Sequence, residues 1–310
     1  MIGNNIIPDL HTEVSIAGVN FQNPVMTCSG TFGSGAEYGE FVNLSHLGAV
    51  VTKGVSRDPW EGNPTPRLAE TPSGMLNAIG LQNPGIDTFV SRDLPFLARA
   101  GTKVIVNVCG HSVGEYKDVV ERLSDEDAVD ALEINISCPN VKQGGIAFGT
   151  DPKEAEKVTR EVKKVSKKPV IMKLSPNVTS IADMAKACEA GGADGLSLIN
   201  TITGMKIDVK TRRFVLANRT GGLSGPAVHP VAVRMVYEAS HAVSLPIIGM
   251  GGIATAEDAI EMMLAGATAI AVGTANFRNP RATEDILAGM AQYMRENSIA
   301  DIRDIIGAVV

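Results

Sequence analysis

Apolar positions in this chain fall into short buried-type runs separated by longer amphipathic stretches, and one junction between them recurs. A helix-like segment ends near glycine and a β-branched strand follows at once. It reads LSHLGAVVTKG at 44–54, LARAGTKVIVNV at 97–108, CEAGGADGLSLIN at 188–200 and MLAGATAIAVGT at 263–274. Glycine near a helix C-terminus, followed directly by an apolar strand, marks the αβ junction of a parallel sheet. The pattern predicts eight strands, at 25–29, 49–53, 104–108, 132–137, 170–174, 195–199, 246–250 and 269–273. Helical stretches separate most of them. SIADMAKACEAGG opens with Ser180 and Asp183 at capping-box spacing and places Ile181, Met184, Ala185 and Cys188 on one face. TAEDAIEMMLAG repeats the signal with Thr255 and Asp258, ahead of Ile260, Met263 and Leu264.

Eight βα repeats in 310 residues predict an α/β fold of the (β/α)8 TIM-barrel type, as a single domain over 1–310. A doubly wound open sheet is the alternative, but the Rossmann glycine fingerprint is missing after the first strand. TEVSIAGVNFQNPV predicts an N-terminal hairpin that plugs the barrel bottom. Two connections, 55–96 and 201–230, are too long for plain βα loops, and the second contains MKIDVKTRRFVLAN, an expected extra hairpin. Both follow strand C-termini, so both are expected on the catalytic face.

Bulk numbers narrow the function. Net charge is −6 with no basic stripe, and aromatics are only 4%, so nucleic acid is not an expected partner. No apolar run approaches the roughly 18 residues of a membrane span. The N-terminus lacks a basic leader region, so the expected location is cytoplasmic. The cysteines Cys28, Cys109, Cys138 and Cys188 are widely spaced without a CxxC pair, which supports neither a disulfide framework nor a zinc site.

In such a barrel, chemistry sits where strands end. The expected tips carry Ser29, Lys53, Asn107, Asn135 with Cys138, Lys173, Asn200 with Thr201, Gly251-Gly252 and Gly273-Thr274. These are amides, hydroxyls, two lysines and one thiol. No Asp or Glu stands at a tip, which disfavours a carboxylate metal cage or a glycosidase acid pair. The glycines ending the last two strands either make tight turns or let backbone N–H groups approach a phosphate; their joint position favours the phosphate. Lys173 is a candidate Schiff-base lysine or a partner for an anionic ring. Lys53 adds a second positive group. Cys28, Cys109 and Cys188 are expected as core thiols, and the five histidines as structural or solvated. Cys138 differs, because it follows a strand and precedes Pro139 and a glycine-containing loop. A thiol there, near Asn135, is a candidate base or nucleophile.

Five motifs carry a family resemblance: NISCPN, NAIGLQNPG at 77–85, NTITGMKID at 200–208, GGLSGPA at 221–227 and IGMGGI at 248–253. Together they resemble class 1 dihydroorotate dehydrogenase almost end to end, and two of them resemble the NAD-linked class 1B catalytic subunit. The resemblance implies bound FMN and oxidation of dihydroorotate to orotate in pyrimidine synthesis. It implies an FMN site at Ser29, Lys53, Gly54, Asn107, Asn135, Lys173, Ile199, Gly225, Gly251, Gly252, Gly273 and Thr274. It implies an orotate site at Lys53, Asn77, Ala78, Ile79, Gly80, Leu81, Asn135, Asn200 and Thr201, with Cys138 as catalytic base. A partner subunit carrying FAD and a [2Fe-2S] cluster is implied as well, around a homodimeric core within a heterotetramer. The alternatives are a fumarate-linked class 1A-type enzyme, a flavin-free barrel aldolase or isomerase using Lys173, and a non-catalytic binding subunit.

Overall fold

The computed structural model describes residues 9–137 and 146–310. Its centre is a closed barrel of eight parallel strands in sequential order. They are β1 (Val25–Thr27), β2 (Ala49–Val51), β3 (Lys103–Val108), β4 (Ala131–Asn135), β5 (Val170–Lys173), β6 (Gly195–Leu198), β7 (Ile247–Met250) and β8 (Ala269–Val272). All eight expected strands are present, and most stop one or two residues sooner than their apolar runs.

The strands are buried on nearly every position because helices cover the outside and side chains fill the inside. Among the described residues six long α-helices do most of the covering: α1 (Val113–Ser124), α2 (Pro152–Val165), α3 (Ile181–Ala190), α4 (His229–Ser240), α5 (Ala256–Leu264) and α6 (Ala282–Glu296). Ser180 caps α3 by accepting from the Asp183 amide. Thr255 and Asp258 form a full reciprocal box on α5. Each cap satisfies amides that the first helical turn leaves unpaired. The face read for α3 is buried as expected. On α5 the buried set is Ala259, Ile260, Met262 and Met263, while Leu264 is half-buried.

The bottom and the mouth are built differently. Val14–Ile16 and Val19–Phe21 form the predicted hairpin, and Val14, Ile16 and Phe21 are buried in the main core. At the mouth, the two long insertions join. Leu68–Thr71, Gly74–Asn77, Thr220–Ser224 and Ile202–Met205 make one four-stranded antiparallel sheet. The expected extra hairpin is a short pair, Ile207–Asp208 with Arg213–Phe214, beyond that sheet. The hairpin in the first insertion was not expected from the sequence, because its outer partner lies in the second insertion. Gly222 faces Asn77 in this sheet and has no room for a side chain: a Cβ there would stand 1.9 Å from Thr201 Oγ1.

Candidate active site

A cavity of about 590 Å³ opens at the C-terminal mouth, under the insertion sheet. Its two sides are chemically unlike. One side is a rim of glycine and hydroxyl residues after β7 and β8, completed by Gly225: Gly251, Gly252, Gly273, Thr274 and, after β1, Ser29. Gly251 and Gly252 have φ of +130° and +72°. A Cβ on Gly252 would stand 2.8 Å from Gly225 O and 2.9 Å from His229 N, so backbone itself forms this wall. His229 is buried behind it, with Nδ1 2.8 Å from Gly251 O and Nε2 3.1 Å from Glu261. The Thr274 hydroxyl donates to Ser224 Oγ at 2.7 Å.

The other side is a wall of amides and cations: Lys53, Asn77, Asn135, Lys173, Asn200 and Thr201. Ile79, Gly80 and Leu81 close it from the first insertion. Asn63 holds that segment, donating from its amide nitrogen to Ala78 O at 3.0 Å and from its backbone to Ile79 O at 2.9 Å. Asn177 holds the opposite segment, donating to Thr201 O at 3.1 Å and accepting from the Thr203 amide at 2.9 Å. Ile199 and Met250 line the cavity between the two sides and give it an apolar floor.

Strand register explains the polar cluster below the amide wall. Asn107 pairs with Glu133 across β3 and β4, and Lys173 pairs with both Asn135 and Ser197 across β4, β5 and β6. Cross-strand partners point to the same side of a sheet, here the barrel interior. Glu133 is 1% exposed and accepts from Asn107 Nδ2 at 2.5 Å, Ser197 Oγ at 2.7 Å and Lys173 Nζ at 3.3 Å. A buried carboxylate needs this much company, because its desolvation is costly without paired donors.

Three expected site residues lie behind the cavity rather than on it. Gly54 is packed against Asn107 and Cys109, Asn107 is buried against Glu133, and Ala78 belongs to a small core under the insertion sheet. Cys138, the expected base, lies outside the described residues. Cys28, expected as a core thiol, instead borders the cavity, with Sγ 3.2 Å from Ala271 O. Burial pushes its thiol up to about 12, with Lys173 opposing that shift and Glu133 adding to it. Such a thiol stays protonated at neutral pH and is no nucleophile.

Sequence reasoning missed Glu133, Ser137 and Ser197. Barrel chemistry is expected at strand tips, and these residues sit at or below them. A signal was present: Glu133 interrupts the apolar run of ALEIN, and a charge inside a barrel strand must have buried partners. Lys173 is therefore not the unbalanced cation that two lysines at the tips suggested, because Glu133 neutralises it. Among the described residues no three His, Cys, Asp or Glu side chains gather as a metal site. No described helix is long and apolar enough to cross a membrane.

Fold and cavity are those of a (β/α)8-barrel enzyme. A family model described as dihydroorotate dehydrogenase matches residues 11–294. A protein of Lachnoclostridium phytofermentans named dihydroorotate dehydrogenase B (NAD(+)), catalytic subunit, is 67% identical over 97% of this chain and 100% of its own. One of the same name from Alkaliphilus metalliredigens is 60% identical over 97% of this chain and 99% of its own. A solved DHODH from Eimeria tenella, in complex with ferulenol, superposes with a TM-score of 0.80 at 21% identity, over 96% of this chain and 88% of its own, and supports the fold. The chain belongs to the dihydroorotate dehydrogenase family, and membership implies a flavin cofactor.

Proposed function

We propose that this chain oxidises (S)-dihydroorotate to orotate in pyrimidine synthesis, as the FMN-binding catalytic subunit of an NAD-linked dihydroorotate dehydrogenase. The observation that carries this reading is the two-sided cavity. One side offers backbone and hydroxyl donors without side-chain bulk, and the other offers amides and cations.

The residues present fit FMN. Backbone N–H groups around Gly252, Gly273 and Thr274, with Gly225 and Ser29, suit a phosphate. Ile199 and Met250 suit the faces of a flat ring, and Lys173 and Asn135 suit its polar edge. Gly54 and Asn107 support that edge from behind. FMN, when bound, supplies a hydride acceptor. The amide wall then serves the substrate. Lys53 neutralises the carboxylate, and Asn77, Asn135, Asn200 and Thr201 meet the amide edges of the ring. Ile79, Gly80 and Leu81, backed by Ala78, close over it. Cys138 takes a proton from the substrate carbon next to the one that loses hydride.

Electrons leave through a partner subunit carrying FAD and a [2Fe-2S] cluster, around a homodimeric core, in the cytoplasm. The name of the relatives, catalytic subunit, supports a second chain. The aldolase alternative meets an obstacle in the ion pair: an ammonium engaged by Glu133 lacks the free electron pair of a Schiff-base nucleophile. The test is direct. The purified chain is expected to be yellow, to bleach with dihydroorotate, and to pass electrons to NAD+ rather than fumarate when co-expressed with its partner. A colourless protein that takes up no FMN refutes the cofactor, and turnover with fumarate alone refutes the NAD link.

A further inference from the structure

A directed chain of hydrogen bonds runs down the amide wall. Asn200 Nδ2 donates to Ser137 Oγ at 2.8 Å. The Ser137 hydroxyl donates to Asn135 Oδ1 at 3.0 Å. Asn135 Nδ2 donates to Asn107 Oδ1 at 3.4 Å. Asn107 Nδ2 donates to Glu133 Oε2 at 2.5 Å. The last member is a carboxylate, which only accepts.

We infer that Glu133 is a positioning residue that sets the direction of this whole chain, leaving Asn135 a donor towards the cavity, and sets the charge balance at Lys173. The first half follows from the hydrogen-bond inventory. An acceptor at the bottom obliges Asn107 to point its nitrogen down and its oxygen up. Asn135 must then point nitrogen towards Asn107. Its oxygen already accepts twice, from the Ser137 hydroxyl at 3.0 Å and the Ser137 amide at 3.2 Å. Among the described residues one N–H of Asn135 is left for a ligand, so the ligand group facing it is an acceptor such as a ring carbonyl. The second half follows from the ion pair. Glu133 and Lys173 are 1% and 4% exposed, so little solvent screens their charges. A ring in the cavity meets a neutralised pair rather than a bare cation.

This inference rests on the FMN and orotate reading of the cavity, and the experiment separates the two. FMN uptake and orotate affinity are measured first in the unsubstituted chain, where failure of either refutes that reading. Glu133→Gln then keeps the shape, removes the charge and puts a donor where only an acceptor stood. FMN is expected to stay bound. Orotate, followed by its perturbation of the flavin spectrum, is expected to bind at least tenfold more weakly. The reduced-to-oxidised flavin ratio at fixed potential is expected to rise at least tenfold, about 30 mV for a two-electron couple. Either readout within threefold of the unsubstituted chain overturns the inference. Asn107→Ala is the second variant, for the case where Glu133→Gln does not fold. It removes the link between Glu133 and Asn135 and keeps the Glu133–Lys173 ion pair, so orotate is expected to weaken at least tenfold, while the flavin ratio is expected to change less than in Glu133→Gln. Orotate affinity within threefold there also overturns it.

Discussion

The glycine rim and the amide wall face each other across one cavity, yet they are specified by opposite means. On the rim, Gly251 and Gly252 act through what they lack, since any side chain would collide with Ala232, Gly225 or His229. On the wall, Asn135, Lys173 and Asn200 act through side-chain atoms whose directions are fixed by buried neighbours. Damage to the rim should therefore appear as lost space, and damage to the wall as lost direction or charge. The same contrast separates the two ligands proposed for the cavity, with the phosphate on the rim and the substrate on the wall.

The largest expected effect tests whether the rim takes any part in the chemistry. Cys138→Ala should lower turnover by about 10²–10⁴-fold, the usual contribution of a positioned base, with FMN still bound. Rapid-mixing reduction of the flavin by dihydroorotate measures it. A loss under tenfold would remove Cys138 from the role of base. A comparable loss on removing Thr274 would erase the contrast, because the rim would then share in the chemistry.

Gly252→Ala comes next and acts through space. The residue has φ +72°, and the new Cβ would meet Gly225 O at 2.8 Å. Non-glycine residues held in such a region cost of order 1–3 kcal/mol. Most of that cost should fall on the cavity, with FMN affinity down about tenfold to a hundredfold as read by flavin fluorescence. Lys53→Met acts through charge instead. A hydrogen bond to a charged group contributes about 1.5–3 kcal/mol, so orotate should bind roughly ten to a hundredfold more weakly. FMN, for which Lys53 is also an expected contact, should weaken less than orotate, and equal losses of both ligands would mean that Lys53 serves the two alike.

How much of this was legible in the chain differs between the sides. Eight strands were, because αβ junctions repeat at glycine and the strands are mostly apolar. The position of the rim was also legible, since Gly251-Gly252 and Gly273-Thr274 follow the last two strands in the sequence. The wall was legible only at its surface. Asn135 and Asn200 stand at strand tips, but Glu133 lies one inward-facing step below, where alternation along a strand places the next interior side chain. Nothing local in ALEIN says which residues it meets, because Asn107, Lys173 and Ser197 come from three other strands. The mouth sheet was hidden for the same reason: Asn77 and Gly222 are 145 residues apart and pair only once the barrel closes.

The smallest expected effect lies at the seam between the two sides. Cys28 stands there, and a Cβ on Gly273 would come 3.3 Å from its Sγ. Burial pushes the Cys28 thiol from an ordinary 9.0 up to about 12, and burial does the same to Cys188 inside α3. Unfolding frees both thiols to lose protons near pH 9. Between pH 9 and 12 the folded chain thus binds more protons than the unfolded one, and stability falls as pH rises through that window. Below pH 9 neither thiol contributes a slope. Denaturant unfolding of the unsubstituted chain between pH 8 and 11 should show the decline, and Cys188→Ala should flatten it. Cys28→Ala should flatten it to a similar extent, because burial raises both thiols to about 12. A decline that neither substitution changes would assign the alkaline loss of stability to other groups than these two buried thiols.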